Sequence, residues 1–171
     1  MKYAKEILVV WLLVAGSVAL EQDQEAARKK VAGKWRGQLT NAPARPGAKP
    51  VEVAMEIGPL PTADDSCTPW RTTYSEDGKV RGVKDYRLCR GKGAEDLYVD
   101  EGDGVKLTAR WIGDVLVSPF KYDTILLISS LRVRGDVLEE EILTIDDKPA
   151  AKGVVPLLPK GIQRLELRRV P

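Results

Sequence analysis

The sequence of 171 residues contains no histidine. Every mechanism that needs an imidazole is thereby excluded: Ser-His and Cys-His nucleophile pairs, His-ligated zinc and His-ligated haem. A surplus of charge of one sign is lacking too. Lys and Arg number 27 against 25 Asp and Glu, so nothing electrostatic points to nucleic acid or an anionic membrane as partner. The chain has no internal repeat, no low-complexity tract and none of the helical crossovers that a parallel sheet requires. Its length suits one domain, and 43% apolar with 30% charged residues is the balance of a chain that folds around a core.

A single long apolar run is present, and it reads as an address rather than as structure. Lys2 and Lys5 precede Ile7 to Ala15, and Gly16-Ser17-Val18-Ala19 follows, with small residues one and three positions before a cut after Ala19. The run is shorter than the roughly 20 apolar residues of a spanning helix, and without a polar face it does not suit a buried helix. Residues 1–19 are therefore expected to be a secretory signal peptide, with an uncleaved anchor as the alternative. Residues 20–171 form the single exported domain, periplasmic or extracellular, with no membrane span. No cysteine follows the small residues, so lipid attachment is not indicated. Removing Lys2, Lys5 and Glu6 leaves the charge balance near neutral.

Cys67 and Cys89 are the two cysteines, and an exported chain meets oxidising conditions. Between them Asp77-Gly78, flanked by residues of high strand propensity, is a strong hairpin signal. A turn there sets the thiols on neighbouring strands within a residue or two of facing each other, which predicts a disulfide. Their spacing is unlike the C-x-x-C of a redox pair.

The rest alternates. Val51, Val53, Met55 and Ile57 share one face while Glu52 and Glu56 take the other, and Val105, Leu107, Ala109 and Trp111 alternate with Lys106, Thr108 and Arg110. Strands are expected near 35–40, 51–58, 69–75, 79–89, 95–100, 104–112, 114–120, 123–134, 137–146 and 162–170. Gly102-Asp103-Gly104, Ile112-Gly113-Asp114 and Gly135-Asp136 supply turns. Such a row of hairpins is an all-β, antiparallel up-and-down meander, and closing it into a barrel removes aggregation-prone edges. Asn41–Pro50 and Asp147–Gly161, each with three prolines, are expected as loops.

Glu21 to Val31 reads as a short helix with Gly33 as its stop. It leads straight into Gly33-Lys34-Trp35, and a short helix followed by G-x-W on the first strand of a meander resembles the lipocalins and the wider calycin group. The resemblance implies that Trp35 closes one end of the barrel and that Asn41–Pro50 flanks the other. It also implies that a late arginine, Arg164, Arg168 or Arg169, packs across the indole. The family's second motif is missing or reversed, as Tyr122-Asp123, so ligand type does not carry over. Nitrobindin-like barrels share the G-x-W opening, but their haem histidine has no counterpart here.

If Val53 and Met55 face inward, so do Trp35 and, by the same alternation, Trp70, Tyr74, Leu107 and Trp111; Tyr86 joins them. These side chains either line a ligand cavity or fill the core. Glu140 is the most informative charge. A two-residue turn at Gly135-Asp136 pairs Arg132 with Glu139, Val133 with Leu138 and Leu131 with Glu140, which points Glu140 inward, beside Lys84 or Tyr86, to orient a ligand's polar group. A one-residue bulge would exchange the faces and leave it a solvated strand charge, and because bulges are common the solvated reading is the favoured one. Glu139 with Arg132 reads as an exposed ion pair, Asp100–Gly104 as a tight turn rather than a calcium loop, and Arg71 with Arg87 as a weak anion site. No metal site or cofactor is expected. No residue pair has the spacing of a catalytic constellation, so a non-enzyme is expected. The leading expectation is a carrier of a small, mainly apolar molecule. Its alternative is a filled envelope or protein-interaction module, which outward Val83 and Leu126 would serve.

Overall fold

Ten strands follow one another without a crossover in the computed structural model, which describes residues 22–44, 46–146 and 157–171. They are β1 (Gly33–Ala42), β2 (Val51–Ile57), β3 (Cys67–Glu76), β4 (Lys79–Arg90), β5 (Leu97–Gly102), β6 (Val105–Ile112), β7 (Val115–Tyr122), β8 (Ile125–Arg134), β9 (Val137–Asp146) and β10 (Leu158–Val170). Each pairs antiparallel with its neighbours in sequence, and β1 pairs with β10, so the sheet closes on itself. Among the described residues a single helix, α1 (22–29), precedes β1. The expected signal peptide, residues 1–19, and the 147–156 connection lie outside the described residues. Among the described residues no helix is long and apolar enough to cross a membrane.

Closure means that period-2 alternation sorts every strand into lumen and solvent faces. Val53, Met55 and Ile57 on β2 and Trp70 and Thr72 on β3 are buried, while their neighbours Glu52, Glu56 and Arg71 are exposed. β10 begins four residues earlier than expected, because Pro159 sits at a register shift between Pro159 and Gly161, one of the few sheet positions a proline tolerates.

The helix end of the barrel is plugged. Trp35 is 1% exposed and donates its indole N–H to the Val31 carbonyl at 3.0 Å. The Arg169 guanidinium lies 4.1 Å from the centre of that ring and donates to the carbonyls of Ala32 and Lys30. Register selects Arg169 among the three late arginines: it pairs with Trp35, whereas Arg164 and Arg168 point outward to Glu141 and Asp136. Gly33 has φ +144°, and a Cβ there would collide with the Arg169 guanidinium. The G-x-W opening thus has a steric cause in this chain.

Cys67 and Cys89 face each other directly and are bonded, with a sequence separation of 22. An unbroken ladder from the Asp77-Gly78 turn would set Cys67 opposite Leu88. The register shift beyond Ser75, which leaves Arg81 unpaired, moves it opposite Cys89. The bridge lies on the outer face, since Thr68, Trp70 and Leu88 take the lumen side.

Candidate functional site

The interior is filled unevenly. Towards the Trp35 end, Val31, Ile57, Leu97, Ala109, Leu138 and Leu167 are buried in one apolar cluster. Val53, Met55 and Trp111, expected on the cavity wall, are buried in the core but do not line the cavity described next. Trp111 lies under the Arg28 guanidinium of α1, 5.6 Å from the ring centre. Towards the opposite end a cavity of about 80 Å³ remains. It brings together Trp70, Tyr86, Leu107 and Glu140 from the expected set. Tyr74 packs beside it. Val99, Leu116, Leu131 and Ile142 complete its apolar wall, and Lys84, Glu101, Ser118, Phe120 and Ser129 supply the remainder.

Glu140 is the group that distinguishes this space. The favoured expectation of a solvated strand charge is corrected: the Gly135-Asp136 turn carries no bulge, Leu131 pairs with Glu140, and the residue is 9% exposed. The reason is on either side of it. A shift of β9 by one would have turned Glu139 and Glu141 inward and exposed Leu138, which is fully buried. One buried carboxylate costs less than two and a lost leucine. Arg132 and Glu139 pair on the outer face at 2.8 Å, as expected.

Burial pushes the Glu140 carboxyl above its ordinary value, against the opposing pull of the Ser129 hydroxyl and the Lys84 ammonium. Ser129 Oγ donates to Glu140 Oε1 at 3.0 Å. Burial likewise raises the Tyr74 phenol, with the Glu140 carboxylate and Tyr86 adding to the effect. Tyr86 is pushed up to about 12 by burial and by the Glu101 carboxylate that accepts its hydroxyl. The Lys84 ammonium, exposed at this end, lies 6.0 Å from the Tyr74 ring centre and 5.8 Å from that of Tyr86.

A raised carboxyl makes a prediction. The folded state holds the Glu140 proton more tightly than the unfolded chain, so its contribution is present below the ordinary value near 4.5 and is lost as pH rises through the raised folded value. Glu140→Gln should match the parent near pH 4 and exceed it at pH 8 by on the order of 1 kcal/mol, or about 2–4 °C in Tm. Thermal unfolding at both pH values checks this; an equal difference at both would mean that Glu140 does not titrate in the fold.

The other expected sites dissolve into ordinary strand surface. Arg71 stands opposite Asp85, and Arg87 bonds Asp100 at 2.6 Å, so the two arginines do not converge on an anion. Asp100 accepts the Gly102 amide at 3.0 Å within its turn. Of the expected loop Asn41–Pro50, Asn41 and Ala42 belong to β1, and the described residues that follow lie at the end opposite Trp35, where Lys49 pairs with Asp77 of the β3–β4 turn. Among the described residues, two hollows of several hundred Å³ lie outside the barrel. One, of about 660 Å³, is lined by Lys34, Arg36, Glu56 and Arg71 of the outer sheet. The other, about 750 Å³ between α1, Pro59–Thr62 and Trp111, has its charges already committed: Glu25 to Lys29 at 2.6 Å, Glu95 to Arg110 at 3.5 Å and Arg28 to the Gly113 carbonyl at 2.8 Å. Neither offers a buried polar group such as Glu140.

Ser118, Phe120, Ser129 and Glu101 were not among the sequence-derived candidates. Alternation from buried Leu116 and Leu131 would have found the first three, since each is two or four residues along the same face.

A comparison with known protein families, with curated proteins and with solved structures finds no match to this chain. The fold therefore stands as the defining property: an all-β, closed ten-strand antiparallel barrel with one short helix, consistent with the calycin-like class that its opening resembles.

Proposed function

We propose that this chain is an exported, non-enzymatic barrel that holds a small molecule at the end opposite Trp35, with Glu140 as the polar anchor. One observation carries the reading: a carboxylate buried to nine-tenths opens onto a cavity rather than onto packed side chains. A polar group so placed is expensive to maintain, and a core meant only to be filled has no use for it. The bridge between Cys67 and Cys89 accords with export.

Size revises the expected ligand. About 80 Å³ lies far below the several hundred Å³ of a site for a drug-sized or fatty molecule. The occupant is small and polar-headed rather than mainly apolar. The test is a fragment titration followed at the Trp70 indole by fluorescence and NMR. Saturable change, lost in Trp70→Phe by fluorescence but retained by NMR at neighbouring residues, is expected; no saturable ligand below about 10 mM would sink the proposal.

A second reading, a docking module, draws on one feature. Leu126 pairs with Ile145 and Ile128 with Leu143, with Ile162 alongside, which makes an apolar row on the outer face of β8–β10. Val83, 45% exposed on β4, is remote from it.

A further inference from the structure

We infer that the cavity, on the reading just proposed, takes a small primary ammonium ion as its ligand. The hydroxyls that line it have already spent their protons. Ser118 Oγ donates to the Thr108 carbonyl at 2.8 Å, Ser129 Oγ donates to Glu140, and the Tyr86 hydroxyl donates to Glu101. What these groups still offer is acceptor capacity: oxygen lone pairs and two carboxylates. An anion would meet two carboxylates against the single Lys84 ammonium, and a ligand that only accepts would find no free donor among the hydroxyls.

The walls favour the same class. Trp70, Tyr86 and Phe120 present rings to the space, and aromatic faces attract cations through their quadrupole. The barrel already holds one ammonium in this field, that of Lys84, near the Tyr74 and Tyr86 rings. Two carboxylates against one lysine leave a negative charge uncompensated when both are ionised. A second ammonium, seated deeper against Glu140, neutralises it and supplies N–H donors to the acceptors.

Volume sets the size. About 80 Å³ lies far below the several hundred Å³ of a site that encloses a drug-sized molecule, which limits the enclosed part of a ligand to a few non-hydrogen atoms. Methylammonium, ethylammonium and propylammonium fit that range. A longer amine must leave its tail outside, beside Lys84.

The experiment titrates the purified chain with ethylammonium, acetamide and acetate at matched ionic strength, by calorimetry and by the Trp70 NMR signal. Ethylammonium should saturate in the millimolar range or below, with the other two at least about tenfold weaker. Glu140→Gln, which keeps shape and the Ser129 contact, should weaken ethylammonium about tenfold or more. Lys84→Met, which removes the resident cation, should tighten it about threefold. Equal or better binding of acetate or acetamide, or indifference to both substitutions, overturns the ammonium assignment while leaving the cavity a binding site. If none of the three binds below about 10 mM, the binding proposal falls with it.

Discussion

Replacing Trp35 by alanine should lower the unfolding free energy by about 3–5 kcal/mol, the cost of truncating a large buried aromatic. Trp35 is 1% exposed and closes the helix end of the barrel, so the space it leaves cannot collapse without moving β1 against β10. Two further contacts go with it. The Val31 carbonyl loses its indole donor, and the Arg169 guanidinium loses the ring over which it lies. For a chain of this length the loss corresponds to a fall in Tm of about 6–20 °C. Trp35→Phe separates the contributions: it keeps most of the volume and leaves the carbonyl unpaired, and should cost about 1–3 kcal/mol. Denaturant unfolding reads both. A Trp35→Ala penalty under about 1 kcal/mol would mean that the indole is not the plug.

The contrast between two hairpins explains how much of this architecture the residues announce. Alternation in β2 and β6, and Gly or Asp at the turns, make ten strands and their closure legible, because a half-buried strand leaves a period of two in its own sequence. Register is a different matter, since one slipped residue exchanges the faces of a whole strand. The β3–β4 hairpin has such a slip at Arg81 and the β8–β9 hairpin has none. In each case the deciding signal lay several residues from the turn. In β3–β4 the requirement is that Cys67 meet Cys89. In β8–β9 it is that Leu138 and Ile142, not Glu139 and Glu141, enter the lumen. Reading those neighbours together would have turned Glu140 inward from sequence alone.

The cavity was less accessible still. It joins residues from β3, β4, β5, β6, β7, β8 and β9, and its volume is a residue of packing, the difference between large numbers that no local pattern encodes. Val53, Met55 and Trp111 show the limit. Their inward direction was legible, but that they join the packed core and leave the cavity to other residues was not. The hydrogen bonds that commit Ser118, Ser129 and Tyr86 as donors belong to the same category, and it is these that give the cavity its chemical sign.

Removing the bridge as Cys67→Ala/Cys89→Ala should cost about 3 kcal/mol, the loop-closure entropy released to the unfolded chain for a separation of 22 residues. That is about 6–12 °C in Tm, and the intact chain should show the same fall when a reductant is added. Cys89 is fully buried beneath the segment before β3, where the Arg90 amide donates to the Ser66 carbonyl at 2.9 Å and Arg90 pairs with Asp64 at 3.0 Å. Loss of the bridge should therefore loosen 63–66 first, which hydrogen exchange at the Asp65 and Arg90 amides will report. The lumen should not respond. Both sulfurs lie on the outer face, while the paired inward neighbours Thr68 and Leu88 keep their packing. Ethylammonium affinity of the folded double variant should equal that of the parent at 25 °C. A drop in affinity along with the drop in stability would mean that the bridge positions the β3 and β4 side chains of the site, Trp70, Lys84 and Tyr86, and does not merely constrain the unfolded chain.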